Sequence, residues 1–319
     1  MYRMINFINA SSRSALWVLL LALALLSLTA CGGEAKKSTI ISNPCAGFSF
    51  CVDATNGLDT NTGTQDAPFK TITMAAAMAT TAGQTVKVLP GVYDNPGNGE
   101  IFPIVINAGV SLIGDEAGKG NPGGVNEVLI ADGTFTLNTG AVLAGFSVKG
   151  TGQYVVHTTS GQNTIRNNSM APGSGGAGVW ITDGIGGHVI TGNIITNTYM
   201  GIFQNPVAPA QFSRVENNVL YGNQFAVEMD GVGLDLGGGI TGSVGGNVLS
   251  CSVFADYWTN VATTVNMANN YWDHAPPLEA TVYDGTTIGI YDLFNTVAGG
   301  VLNTTGAQLA SVRGFTVCP

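Results

Sequence analysis

Glu228, Asp230 and Asp235 form a group of side chains able to do chemistry, within Glu228-Met229-Asp230-Gly231-Val232-Gly233-Leu234-Asp235. Side chains two residues apart on a strand share a face, so Glu228 and Asp230 are candidates for the acid and base of a glycosidase. Asp230 and Asp235 on a glycine-rich bend are candidates for calcium, which takes carboxylate oxygens. Loop acids simply facing water are the competing reading. The same two readings apply to Asp53, Asp59 and Asn61, because Asp59-Thr60-Asn61-Thr62-Gly63 echoes part of a calcium loop without its closing glutamate.

A second pattern places a small residue before an apolar strand: Gly178-Val179-Trp180, Gly201-Ile202-Phe203, Ala226-Val227-Glu228 and Ala255-Asp256-Tyr257. If the middle residue points inward, Trp180, Phe203, Glu228 and Tyr257 form one outward column. An aromatic stripe flanked by polar groups can grip an extended sugar chain, so these four are the candidate ligand-binding residues. The alternative is that a loop or the tail covers them. His157, His188 and His274 are scattered, and a lone histidine is usually structural. No phosphate loop, CxxC, serine elbow or metal-binding histidine pair occurs, and Gly237-Gly238-Gly239 lacks the strand-to-helix context of a dinucleotide site.

The elements that must position these side chains repeat. Asn168, Asn193, Asn218, Asn247 and Asn270 mark equivalent points, at spacings that suit one coil of three short strands. Identical residues stacked at a tight corner form a ladder in which each amide satisfies the next. Some seven or eight such coils fit between Thr85 and Asp273. The spacing therefore predicts an all-β fold, a single-stranded right-handed parallel β-helix, with coils over 111–273 and a cap and first coils over 45–110. Phe69, Ile72, Ala76 and Ala79 fall on one helical face behind Asp66, a helix-start signal, and predict a short N-terminal capping helix. Pro276-Pro277 break the strand pattern, so 274–319 reads as a tail folding back over the last coil.

The start of the chain has Arg3 and Arg13, an apolar run from Ala15 to Leu26, then Leu28-Thr29-Ala30-Cys31. That order is a secretory signal over 1–30, with an apolar core too short to span a bilayer comfortably. Leu-Thr-Ala-Cys resembles the lipobox of bacterial lipoproteins, which implies lipidation at Cys31, a tether over 31–44 and a domain over 45–319. Gly32 in place of aspartate implies an outer-membrane destination, so the expected location is the bacterial cell envelope, with the membrane a partner through the lipid. The mature chain would carry 9 basic and 20 acidic side chains, a formal charge of −11. No phosphate-neutralising patch follows from that balance, which argues against nucleic-acid binding. Cys45, Cys51, Cys251 and Cys318 are an even set in an exported chain and suggest disulfides. Their spacing does not fix the pairing: Cys45 with Cys51 and Cys251 with Cys318 is one solution, and free buried thiols are the alternative.

Asp59 to Gly63, Ala67-Pro68-Phe69-Lys70-Thr71-Ile72 and Val86 to Tyr93 with its Pro90-Gly91 turn resemble the start of the domain of unknown function 1565 family. They resemble more loosely the capped starts of pectate-lyase-like β-helices. The resemblance implies that solenoid and is nearly silent on activity. Lyases of this fold join calcium-binding acids to an Arg or Lys base, but Lys149, Arg166 and Arg214 do not align from coil to coil. The reading is a rigid envelope rod binding carbohydrate or a surface partner, with calcium an open question. A polysaccharide lyase, hydrolase or epimerase is the alternative, and a purely structural envelope protein the third.

Overall fold

The computed structural model describes residues 44–150, 152–172, 175–205, 208–260, 262–280, 291–295, 300–314 and 318. The expected signal peptide, Cys31 and all of the tether except Pro44 lie outside the described residues. Short strands recur in a fixed order around three faces. Val142–Ala144 on the first face is followed by Ser147–Lys149 on the second and Tyr154–Thr158 on the third, and Thr164–Arg166 then stacks on Val142–Ala144. Among the described residues these faces are sheets of eight, nine and nine strands, paired in parallel. The second sheet has eight strands from Gly91–Tyr93 to Tyr271–Trp272, in line with the expected number of coils. The fold is a parallel β-helix, right-handed as strand-crossover-strand connections are.

Sequence alternation sets what is inside. Ile165, Ile190 and Val215 are fully buried, each between two partly exposed neighbours, and are in register from coil to coil. Each such side chain contributes about 1.5–3 kcal/mol by leaving water.

The corner between the first and second sheets is held by the asparagines. All five are 0 % exposed. The Oδ1 atoms of Asn193, Asn218, Asn247 and Asn270 each accept from the backbone N–H and the Nδ2 of the asparagine one coil earlier, at 2.9–3.1 Å. Nδ2 of Asn168, Asn193, Asn218 and Asn247 also donates to the carbonyls of Leu143, Ile165, Ile190 and Val215. The residue before each asparagine is left-handed: Asn167, Gly192, Asn217, Gly246 and Asn269 have φ of 53°, 68°, 57°, 71° and 60°. Glycine and asparagine tolerate that conformation best, which is why the marker reads Asn-Asn or Gly-Asn.

The capping helix runs Ile72–Met78, shorter and later than Asp66 implied. Thr71 is its N-cap, with Oγ1 accepting from Met74 N at 3.0 Å. Phe69 precedes the helix and pairs with the first strand, donating to Cys51 O at 3.0 Å and accepting from Asp53 N at 2.9 Å. Those bonds hold the backbone extended, so the helix starts only after them. Asp59 accepts from Lys70 N, Thr71 N and Thr71 Oγ1, while buried Glu100 accepts from Ile72 N and Thr73 N. Asn61 Nδ2 donates to Pro68 O, and Asp53 accepts from the amides of Thr55 and Asn56. The calcium-loop echo is thus spent on building the cap.

The coil also continues past Asp273 rather than ending there. Leu293–Asn295 joins the third sheet, Gln308–Leu309 the second, and Val301–Asn303 pairs with Thr264–Asn266. The prolines interrupt the ladder and the chain resumes it. Cys45–Cys51 and Cys251–Cys318 are disulfides. No helix among the described residues is long and apolar enough to cross a membrane.

Candidate ligand-binding face

Strands of the third sheet carry the outward column. Their register aligns His157, Trp180, Phe203, Glu228 and Trp258. Tyr257 is not in it: it pairs with Val227, is 0 % exposed and packs in the core. Asp256, not Ala255, occupies the place of the small residues, and that one-residue slip turns Tyr257 inward and Trp258 outward. The longer loop before this strand hid the slip.

Trp180 is stacked between His157, with ring centroids 5.1 Å apart, and Phe203, 6.3 Å away, at interplanar angles of 25° and 21°. Tyr154 packs on both His157 and Trp180. With the rings lying against each other, the stack presents its rim. That rim borders a groove of ≈ 220 Å³ lined by Gln153, Gly175, Ala177, Trp180, Met200 and Phe203.

A polar column runs two residues further along each strand, through Thr182, Asn205, Asp230 and Asn260. It steadies the first column: His157 Nε2 lies 2.7 Å from Thr182 Oγ1, and Trp180 Nε1 donates to Asn205 Oδ1 at 3.4 Å. Asn260 Nδ2 donates to Asp230 Oδ1 at 3.3 Å. Burial, reinforced by the neighbouring Asp230 carboxylate, pushes Glu228 up to about 7, and burial also raises Asp230. Glu228 is therefore a carboxylic acid able to donate a proton near neutral pH, on the same strand face as a carboxylate.

Asp235 is not brought to this face. It ends the last strand of the first sheet, Leu234–Asp235, is 1 % exposed, and accepts from Gly237 N, Gly239 N, Thr241 N and Thr241 Oγ1. Both its oxygens organise the glycine-rich bend, which corrects its reading as a calcium ligand beside Asp230. Three coil cations lie on the other two sheets, each near a glutamate: Lys149 with Glu127 at 3.3 Å, Arg166 with Glu116 at 2.6 Å, and Arg214 with Glu216 at 3.6 Å.

Sequence reading missed His157 and Trp258. Val155-Val156-His157 stands in register with Gly178-Val179-Trp180, but valine replaces the small residue that marked the pattern. His188, by contrast, is structural: it is buried, with Nε2 2.8 Å from Asp183, and the resulting hydrogen bonds outweigh burial and hold Asp183 down to about 2.

The columns and the three parallel sheets define a solenoid with one patterned outer face. The chain belongs to a family described as protein of unknown function (DUF1565), whose sequence model matches residues 55–279. No curated protein matches the sequence. Among solved structures, pectate lyase Pel9A is similar at 16 % identity and a TM-score of 0.39, over 83 % of this chain and 80 % of that one. A rhamnogalacturonan lyase is similar at 12 % identity and a TM-score of 0.39, over 82 % and 87 % of the two chains.

Proposed function

We propose that this protein is an envelope rod that holds an extended, neutral polysaccharide along its third sheet, anchored to the outer membrane through Cys31. The observation that carries this reading is the register-aligned column of His157, Trp180, Phe203, Glu228 and Trp258 beside a column of hydrogen-bonding side chains. Such columns repeat at the strand spacing of about 4.8 Å, which lets a repeating chain make one kind of contact several times. Apolar rims with a few convergent polar groups are what sugar recognition requires. The Asp230 carboxylate would repel a polyuronate, and no Lys or Arg of the described residues stands in this column to offset it, so a neutral chain fits better.

Catalysis is the second reading, favoured by the raised Glu228 beside Asp230, an arrangement that suits a hydrolase with Glu228 as acid. A panel of neutral and acidic polysaccharides tests both readings, with retention and chain length followed together. Retention of a neutral glycan that falls at least tenfold in the Trp180→Ala/Phe203→Ala double variant is the expected result. Cleavage lost in Glu228→Gln would establish the hydrolase, and undiminished retention by the double variant would remove the aromatic column as the site.

A further inference from the structure

We propose that Asp256, Asp273 and Asp292 bind a calcium ion, with Ser252 Oγ as a further ligand, and that this ion fastens the last coils together. The proposal does not rest on the glycan reading. It begins with a position that three successive coils keep small, after the valine of the coil before them. Gly178, Gly201 and Ala226 occupy it in successive coils, between residues that pair across the third sheet. A Cβ on Gly201 would lie 2.4 Å from Ala226 O, so bulk is excluded there. The same register then puts Asp256 in this place, and Asp292 in the next coil directly upon it. Like charges stacked on neighbouring strands are destabilising unless something neutralises them.

A third carboxylate joins the pair. Asp273 follows the second-sheet strand Tyr271–Trp272, and one oxygen from each of the three aspartates lies within 4.8 Å of the others. Asp256 and Asp292 are each 2 % exposed. No Lys or Arg ion-pairs with any of the three among the described residues.

Two of the acids have ample donors and the third does not. Asp292 accepts from His274 N, His274 Nδ1 and Leu278 N at 3.2, 2.9 and 2.7 Å. Asp273 accepts from Ser250 Oγ and Cys251 N at 2.5 and 2.8 Å, with Cys318 Sγ at 3.3 Å. Asp256, at the bottom of the cluster, draws on Ser252, whose amide is 3.3 Å from Oδ1. The Ser252 hydroxyl is an independent sign of a ligand. The residue is 7 % exposed, and its Oγ sits against the Asp256 carboxylate without hydrogen-bond geometry to any group. Burying a hydroxyl with no partner costs about 1–3 kcal/mol, a cost that a bound cation would remove.

The donor set selects the ion. Oxygens bound at about 2.3–2.6 Å to one centre are at most about 5 Å apart, so three within 4.8 Å of each other fit around a single calcium. Carboxylate and hydroxyl oxygens suit a hard cation, and the nearby sulfurs of Cys251 and Cys318 are locked in a disulfide. Water would complete the coordination. An ion here would join a third-sheet strand, the turn after the second sheet and the strand of the following coil.

The test uses the purified full chain stripped with a chelator, titrated with calcium chloride by calorimetry and by thermal unfolding. One ion per chain and a rise in Tm of about 5 °C at a hundredfold excess over Kd are expected. Asp256→Asn should lose the response while being no less stable than wild type in chelator at neutral pH, because it removes a stacked like charge. Glu228→Gln should keep the full response. Absence of binding heat and of a Tm shift at millimolar calcium in the wild type overturns the proposal. So does a response that survives in Asp256→Asn, or one that disappears in Glu228→Gln. Should Asp256→Asn not fold, Asp292→Asn is read in the same way, and the wild-type ion count decides by itself.

Discussion

Asn193→Ala is the sharpest perturbation of the ladder. Asn193 is 0 % exposed and its side chain takes part in four hydrogen bonds. Its Oδ1 accepts from Asn168 N and Asn168 Nδ2 at 3.0 Å, and its Nδ2 donates to Ile165 O at 2.9 Å and to Asn218 Oδ1 at 3.0 Å. Alanine leaves the Asn168 amide without that acceptor, in a corner that solvent does not reach. An orphaned buried donor costs about 1–3 kcal/mol and each further lost bond about 1 kcal/mol, so the expected loss is about 4 kcal/mol. With a urea m-value near about 3 kcal/mol/M, the midpoint should fall by more than about 1 M. Asn193→Asp sharpens the test, because an ionised carboxylate would set an oxygen against Ile165 O and Asn218 Oδ1, both acceptors. It should be worse than alanine at pH 7 and recover as acid restores a proton. Asn205→Ala on the outer column is the control. A fall for Asn193→Ala of less than about 1 kcal/mol, or no larger than for Asn205→Ala, would refute the account of the corner.

Removing the Cys251–Cys318 bridge with paired serines frees a loop of sequence separation 67 and should cost up to about 4 kcal/mol by the chain-entropy model, read as a lower urea midpoint. Burial holds the folded Glu228 near 7, above the 4.5 of a free glutamate, so its contribution is fully present below pH 4.5 and is lost as pH rises towards 7. Glu228→Gln should remove that part of the pH dependence, measured as denaturant midpoint against pH; an unchanged profile would contradict it. Asp183 works in the opposite sense: its contribution is present above pH 3.8 and disappears as pH falls to about 2, so Asp183→Asn should flatten the acid limb of the same curve.

The asparagine repeat was legible because every coil meets the same demand at the same corner, a left-handed residue followed by a buried amide. The outward column was legible where glycine or alanine preceded it, and was lost at Val155 and displaced at Asp256, where other residues hold that place. The helix start misled because Asp66 is a capping residue only if the following backbone is free, and Phe69 is committed to the first strand. Prolines made the tail look like an ending, although strands resume at Leu293. The three aspartates come from separate segments with no shared motif, so only the folded register brings them together. Asp235 and Asp59 looked like ligands for the opposite reason: a carboxylate that gathers amides uses the same residue type as one that gathers a cation.

The asparagine-to-asparagine hydrogen bonds of the ladder all point one way along the solenoid, with Asn168, Asn193, Asn218 and Asn247 each donating to the asparagine of the next coil. A ladder with that single direction makes the coil a unit of inheritance. Copying one whole turn, from Asn193 through Asn217, inserts a further amide in phase with its neighbours and a further phenylalanine in the outward row, without disturbing either end. Reach along the outer face can thus lengthen by duplication in steps of one coil, and any duplication out of phase with the asparagine would be purged as a misfolded chain.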